Sequence, residues 1–194
     1  MRYEKGRKDV SRRRITEVAA AQFRRQGIAA SGLAAIMEEA GLTNGAFYPH
    51  FKSKTDLIRE SLATALDDQT EQMRRAVAVG GLEAVLSIYL SADHRDHPET
   101  GCAAAALLPE VARQPSETRD LFADRLASLV REFADTLPPR TRDPSAVALG
   151  IYAALIGALQ LARAVPSKAF SDRILAAGAD AARAVARAAT AVEE

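Results

Sequence analysis

The residues best suited to chemistry fall in one short run. Thr43, Asn44 and Gly45 are followed by Tyr48, His50 and Lys54. Small polar residues at the start of a helix let it approach base edges and phosphates closely. A Tyr hydroxyl, an imidazole and a Lys ammonium a few positions on are donors or point charges suited to phosphate oxygens. Phe47 and Phe51, spaced i and i+4, would turn the other way and anchor the run in a core. The chemistry available to this set is recognition of a nucleic-acid duplex, not bond breaking.

Other constellations point to less. There is no Gly-rich phosphate loop and no nucleophile-elbow sequence, and two of the three His sit in one polar loop. An enzyme is therefore not expected, and no cofactor is implied. His94, His97 and Cys102 are residue types that hold zinc or copper, or that could give a thiol sensor. Their spacing crosses Pro98 and a helix start, which is no compact ligand pattern, so they stand as an alternative sensing site with no metal assigned. A helical interaction protein without DNA binding is the second alternative.

Charge supports the duplex reading. Residues 1–59 carry 12 Lys/Arg against 6 Asp/Glu, whereas residues 60–194 carry 14 against 19. A basic first third on an acidic remainder calls for an anionic partner at the first third alone. Lys5, Arg7, Lys8 and Arg12-Arg13-Arg14 form its leading cluster. That cluster reads as a solvated helix start, or as an arm along the DNA backbone or minor groove.

The elements that must position these residues are helices throughout. Apolar residues make up 48% of the chain, Ala alone about a fifth, and they recur at three and four rather than two. About nine helices are expected: 11–26, 33–40, 44–50, 54–79, 82–92, 101–113, one through Phe122 to Leu137, 145–165 and 167–192. Gly27, Gly41 and Gly80-Gly81 end helices, and Ser31 is a natural N-cap. Two short helices joined at Gly41 make a helix-turn-helix of about residues 32–51. The nearly all-apolar segment 146–162 is short for a membrane span and is read as a buried helix. Its stripe Gly150, Ala154, Ala158 and Ala162, with the seam Phe170, Ile174, Ala177/Gly178, Ala181, Val185, Ala188 and Val192, suits a four-helix bundle with a second copy. One Cys and no apolar leader predict a cytoplasmic protein with no membrane partner.

The run Gly41-Leu42-Thr43-Asn44-Gly45-Ala46-Phe47-Tyr48-Pro49-His50-Phe51-Lys52-Ser53-Lys54 resembles the signature of the TetR family of bacterial transcriptional regulators. Ile15, Ala19, Phe23 and Gly27 fit that family's first helix, so the resemblance covers about residues 9–69. The stretch from Tyr89-Leu90 through His94-Arg95-Asp96 to Gly101-Cys102 and Glu110 is similar to one branch of the family.

The resemblance implies an all-α homodimer on a palindromic operator, usually a repressor, with a three-helix DNA-binding domain (9–69) and a larger ligand-binding and dimerisation domain (70–194). It implies that Tyr48, His50 and Lys54 meet phosphates, that Thr43, Asn44 and Gly45 lie at the bases, and that Ser31 caps the second helix near a phosphate. An effector in the larger domain would move the fourth helix and release double-stranded DNA. Tyr89, Cys102, Phe122, Tyr152 and Gln160 are the expected lining of its pocket, which suits a hydrophobic or amphipathic small molecule. Gly32 and Ala46 replace common hydroxyl residues, and Met37 replaces a common Ala.

Overall fold

Helix formation follows the apolar period, and each helix is bent to the core by what it buries. In the computed structural model of the chain, residues 2–189 are described, with side chains from Gly6 onward. Among them are eight α-helices: α1 Arg2–Gln26, α2 Leu33–Glu39, α3 Lys54–Tyr89, α4 Ala92–Asp96, α5 Ala103–Val111, α6 Ser116–Ala134, α7 Pro144–Ala164 and α8 Lys168–Ala188. Two single 3-10 turns, Asn44–Ala46 and Pro98–Thr100, complete them. The all-α expectation holds.

The chain divides into two compact units. The first holds residues 1–68 and 98–122, the second residues 69–97 and 123–194. The expected division gave the whole of 98–122 to the larger domain, whereas here it joins the first unit. The reason is apolar burial. Ala103, Leu107 and Val111 of α5 complete a core with Ile15, Phe23, Ile36, Met37, Phe47, Phe51, Leu57 and Leu62.

Several boundaries differ from the sequence reading for identifiable reasons. Helix α1 begins at Arg2 rather than Ser11; residues 6–10 are all exposed and so carry no apolar period. The expected helix 44–50 is a three-residue 3-10 turn followed by further turns. The polar stretch after Ser91 folds as α4, since the Ser91 hydroxyl accepts from the His94 amide at 3.0 Å and caps it. At Gly80-Gly81 the expectation holds: both residues leave helical geometry, so α3 is two helical segments joined at a kink. Gly81 sits at φ 59°, ψ −144°, a conformation essentially closed to residues with a Cβ. The end of the last expected helix, residues 190–192, lies outside the described residues.

In the second unit, α7 and α8 pack face to face. Leu175, Gly178 and Ala182 of α8 are buried, as are Ile151, Tyr152, Leu155, Ala158, Leu159 and Ala162 of α7. Ala158 and Ala162 of the small-residue stripe are thus used within the chain. Helix α7 is also long and apolar enough to cross a membrane by length and composition alone. Arg95 fastens α4 to α8: its guanidinium donates to Ser171 Oγ at 3.0 Å and to Asp172 Oδ1 at 2.6 Å. Arg163 donates to the His94 carbonyl at 2.6 Å, and Ser171 Oγ to the Ala162 carbonyl at 2.7 Å.

The closeness of α7 and α8 depends on a missing side chain. A Cβ on Gly178 would lie 2.3 Å from Ala158 Cβ, far inside van der Waals contact. Gly178→Ala is therefore expected to destabilise the protein by ~1–3 kcal/mol through overpacking. Thermal unfolding should show a lower midpoint, and adding Ala158→Gly should restore most of it. A single variant that melts with the wild type would mean the two helices separate at no cost.

Candidate nucleic-acid interface

The segment 43–51 is too short and irregular to hold its own shape. A single helical turn is unfavourable in isolation, because it fixes several dihedrals for one hydrogen bond. Its shape comes from two aromatic anchors. Phe47 is fully buried and Phe51 nearly so, and their rings stack with centroids 5.4 Å apart. The backbone turns around them, with the His50 amide donating to the Phe47 carbonyl at 2.9 Å and the Phe51 amide at 3.1 Å. With both Phe side chains turned inward, Thr43, Asn44, Gly45, Tyr48 and Pro49 face solvent. Tyr48 is 71% exposed, an unusual state for so large a ring. A Cβ on Gly45 would meet nothing within 4 Å, so the surface beside it is open.

Arg12 joins α1 to this segment. Its Nη1 donates to the His50 carbonyl, its Nε donates to Glu60 Oε1 at 2.9 Å and its Nη2 pairs with Glu60 Oε2. The guanidinium also lies over the Phe51 ring, 4.4 Å from its centroid. The positive charge of Arg12 is thereby committed to the protein. His50 is partly exposed, but its Nδ1 is buried with no hydrogen-bond partner. Burial, then the charges of Lys8 and Arg12, hold its pKa below the ordinary imidazole value.

The loop between α1 and α2 is held from three sides. Glu110 of α5 accepts from the Ile28 and Ala29 amides, both at 3.1 Å, one on each carboxylate oxygen. Lys54 Nζ, at the start of α3, donates to the Ile28 carbonyl at 3.0 Å. Gln22 of α1 donates to Glu39 Oε2 at 2.7 Å, which fixes α2. These bonds set the position of α2, and through it the turn that leads to Thr43.

Two expected phosphate ligands take other duties. Ser31 is completely buried; its Oγ donates to the Gly27 carbonyl at 2.7 Å and accepts from Gln26 Nε2 at 3.3 Å. The N-cap of α2 is Gly32, with no side-chain cap bond. Ser31 thus closes the loop from inside and cannot meet a phosphate. Lys54 spends one donor on the Ile28 carbonyl, so its first role is to hold that loop. The roles of Glu60 and Glu110 were missed in the sequence, where neither stands at a telling spacing from its partner.

The alternative sensing residues are committed separately. His94 Nδ1 contacts the Tyr89 carbonyl at 2.6 Å and His97 Nδ1 the Asp93 carbonyl at 2.9 Å. Cys102 is buried and caps α5, its Sγ accepting from the Ala105 amide at 3.3 Å. No cluster of three or more His, Cys, Asp or Glu side chains suited to a metal occurs among the described residues. The expected effector lining is divided too: Cys102 and Phe122 belong to the first unit, Tyr89, Tyr152 and Gln160 to the second.

A helix-turn-helix whose second element presents small polar residues outward defines the class of helix-turn-helix DNA-binding regulators. Residues 15–61 match the model of bacterial regulatory proteins of the tetR family. The chain is 27% identical over 141 residues to an uncharacterized HTH-type transcriptional regulator, YfiR of Bacillus subtilis, covering 68% of this chain and 69% of that protein. It is 28% identical over 122 residues to the HTH-type transcriptional repressor KstR2 of Rhodococcus jostii, covering 62% of this chain and 60% of that one. The fold matches a TetR-family transcriptional regulator from Cytophaga hutchinsonii with a TM-score of 0.76 at 21% identity, over 92% of this chain and 96% of that one. The match to the family model is thus confined to the helix-turn-helix part of the chain, the solved structures share the fold, and the relatives are named as transcriptional regulators rather than enzymes.

The depressed pKa of His50 has a consequence for stability. The unfolded chain takes up a proton near the free-imidazole value of about 6.5, whereas the folded site resists it. Wild-type stability should therefore be whole above that pH and fall below it, down to the folded pKa. His50→Gln should lack this component, so the wild-type-minus-variant difference from denaturant unfolding should decline from pH 7.5 to pH 5.5. A difference flat across that interval would show that His50 titrates as it does in the unfolded chain.

Proposed function

We propose that the protein is a homodimeric repressor that binds a palindromic operator and is released by a small apolar or amphipathic effector. The observation that carries this reading is the joint exposure of Thr43, Asn44, Gly45 and Tyr48 on a segment whose Phe47 and Phe51 are buried. The first three would lie at base edges in the major groove. Tyr48, His50 and the remaining donors of Lys54 would meet phosphates. Two copies would set these segments about 34–36 Å apart, one helical turn of duplex. Such a protein works where the DNA is, in the cytoplasm.

Dimerisation through α7 and α8 is supported by what those helices leave uncovered. Leu149 is 47% exposed, Leu161 60% and Phe170 50%. Around them Ala153 of α7 and Ala177, Ala181, Ala184 and Ala188 of α8 are also exposed. On α8 the positions 170, 174, 177, 181, 184 and 188 recur at alternating fours and threes, the seam of a helix that packs on another helix. Gly157 faces open space, which lets a second backbone come close.

A cavity of about 220 Å³ in the second unit is the proposed effector site. Met73 and Val77 of α3 and Leu129 and Phe133 of α6 make it apolar, with Thr70 and Thr136 as hydrogen-bonding residues. At its edge Arg74 donates to Glu132 Oε2 at 2.6 Å. None of the five residues expected to line the effector pocket lines this cavity. Its size and lining suit a small, mostly apolar molecule with a hydroxyl or carbonyl. Because α3 carries both Lys54 and this wall, it is the proposed transmitter.

Selection from randomised duplexes, followed by a mobility-shift titration, tests the DNA reading. Wild type should select a palindrome. Asn44→Ala should lose about 1–3 kcal/mol of discrimination at one base pair of each half-site. Leu161→Glu should sediment as a monomer and lose the palindrome. Equal loss by Asn44→Ala on all sequences, or a dimer that survives Leu161→Glu and Phe170→Glu together, would sink the respective assignment.

The cavity reading has its own check. Val77→Trp should fill the space and leave operator binding intact, while abolishing release by any effector found in an apolar-compound screen. Unaltered release would move the effector site elsewhere.

A further inference from the structure

The first turns of α1 leave the domain without burying a described residue. From Gly6 to Val10 every side chain is exposed, and Ile15 is the first apolar residue in the core. Val10 is 68% exposed, so no apolar contact explains this extension. At 1.5 Å per residue, the nine residues before the core reach about 13 Å. Its described charges are Arg7, Lys8, Asp9, Arg12, Arg13 and Arg14.

These charges differ in how they are used. Arg12 is neutralised by Glu60 and bound to the His50 carbonyl. Arg7, Lys8, Arg13 and Arg14 form no ion pair with any described residue and remain exposed. They are also placed beside the recognition segment. Lys8 precedes Arg12 by one helical turn and lies close enough to His50 to act on its imidazole. Arg7 and Arg14, two turns apart, share a second face. The Arg14 guanidinium reaches within 3.7 Å of where a Gly41 side chain would begin, at the turn of the helix-turn-helix. The two faces therefore point toward opposite ends of the exposed segment 41–50. A structural role would pair these cations with carboxylates, as Arg12 is paired.

We infer that this basic extension of α1 is a second part of the DNA interface, in which Arg7, Lys8 and Arg14 follow the phosphate backbone flanking the groove occupied by Thr43–Gly45. The inference rests on the duplex-binding reading and adds to it contacts outside the helix-turn-helix. The partner is identified by charge complementarity: exposed cations on a helix beside a base-facing segment match a run of phosphates. The contacts are independent of sequence. They lengthen the footprint and steepen the salt dependence without changing which bases are chosen.

The test uses the full chain, wild type and the triple variant Arg7→Gln, Lys8→Gln, Arg14→Gln. The probes are mixed-sequence duplexes of about 20 bp, enough for two half-sites a turn apart, and about 40 bp. All three side chains are exposed, and thermal unfolding verifies that the variant folds. Each phosphate contact contributes about 0.9 to the slope of log affinity against log salt. The variant slope on the longer duplex should fall by about 2–3 per subunit. The loss should be smaller on the shorter one.

A variant slope equal to wild type on both duplexes, with wild type binding well, overturns the inference and leaves the helix-turn-helix reading intact. A loss that appears only with A·T-rich flanks also overturns it, by moving the extension into the minor groove. Failure of wild type to bind either duplex removes the duplex-binding reading itself, and this inference with it.

Discussion

Burial of Phe47 and Phe51 is the constraint on which the interface depends. A segment with one 3-10 turn has almost no conformational stability of its own. Two stacked aromatic rings in the core shared with Ile15, Phe23 and Leu57 supply it. Burying side chains of that size is worth roughly 2–3 kcal/mol each, enough to fix a few backbone residues. Everything outward-facing follows from their direction. With the two rings inside, Asn44, Gly45 and Tyr48 are exposed, Tyr48 with its ring edge-on to Phe47, so a surface that met them would find them already ordered. An interface ordered in advance does not spend binding free energy on its own folding.

How much of this could be read from the chain depended on whether a local pattern carried it. The helical class, the Phe47/Phe51 anchor and the exposed Thr43-Asn44-Gly45 run were readable, because each follows from spacing within one turn or one helix. Ser31 was misread because its hydroxyl has two local uses. Capping α2 and closing on the Gly27 carbonyl need the same residue in nearly the same place, and only the backbone at Gly32 decides between them. Glu110 and Ile28 are 82 positions apart, and no periodicity relates them. The early part of α1 was missed for the opposite reason: its exposed residues 6–10 leave no apolar pattern to find. That Cys102 and Phe122 fall in the first unit, while Tyr89, Tyr152 and Gln160 fall in the second, is a matter of tertiary burial that helix periodicity does not encode.

The pairing of α7 with α8 shows how one composition serves two surfaces. Both helices are rich in Ala and Gly, and in sequence their small-residue stripes look alike. The structure separates them by depth. Gly178 against Ala158 closes the chain on itself, with no room for one additional methyl. Leu161, Phe170 and the exposed alanines remain outside, an apolar surface unlike the charged exterior of α6. A small residue packed against its own chain and one left on the outside satisfy the same sequence rule, so the periodicity alone could not divide them.

The loop at Ile28 is where this architecture ties α3 to the helix-turn-helix. Its amide is held by Glu110 and its carbonyl by Lys54, so one residue joins α5 and α3 at the base of α2. Lys54 begins the helix whose later turns supply Met73 and Val77 to the cavity in the second unit. A molecule bound there can shift the equilibrium between arrangements of α3 only by the difference in its affinity for them. The loop bonds constrain how such a shift could be passed on. Hydrogen bonds at 3.0 and 3.1 Å tolerate little sliding before they weaken. Movement of the start of α3 must therefore either carry Ile28 and α2 along or break a charge-assisted bond. In the first case the turn leading to Thr43 moves with them; in the second it keeps its bonds to Glu110 and Gln22 but loses its tie to α3. On the proposed reading, a loop residue bonded to both α5 and α3 is one place where a small shift of α3 would reach the recognition segment, which Phe47 and Phe51 otherwise hold in the core.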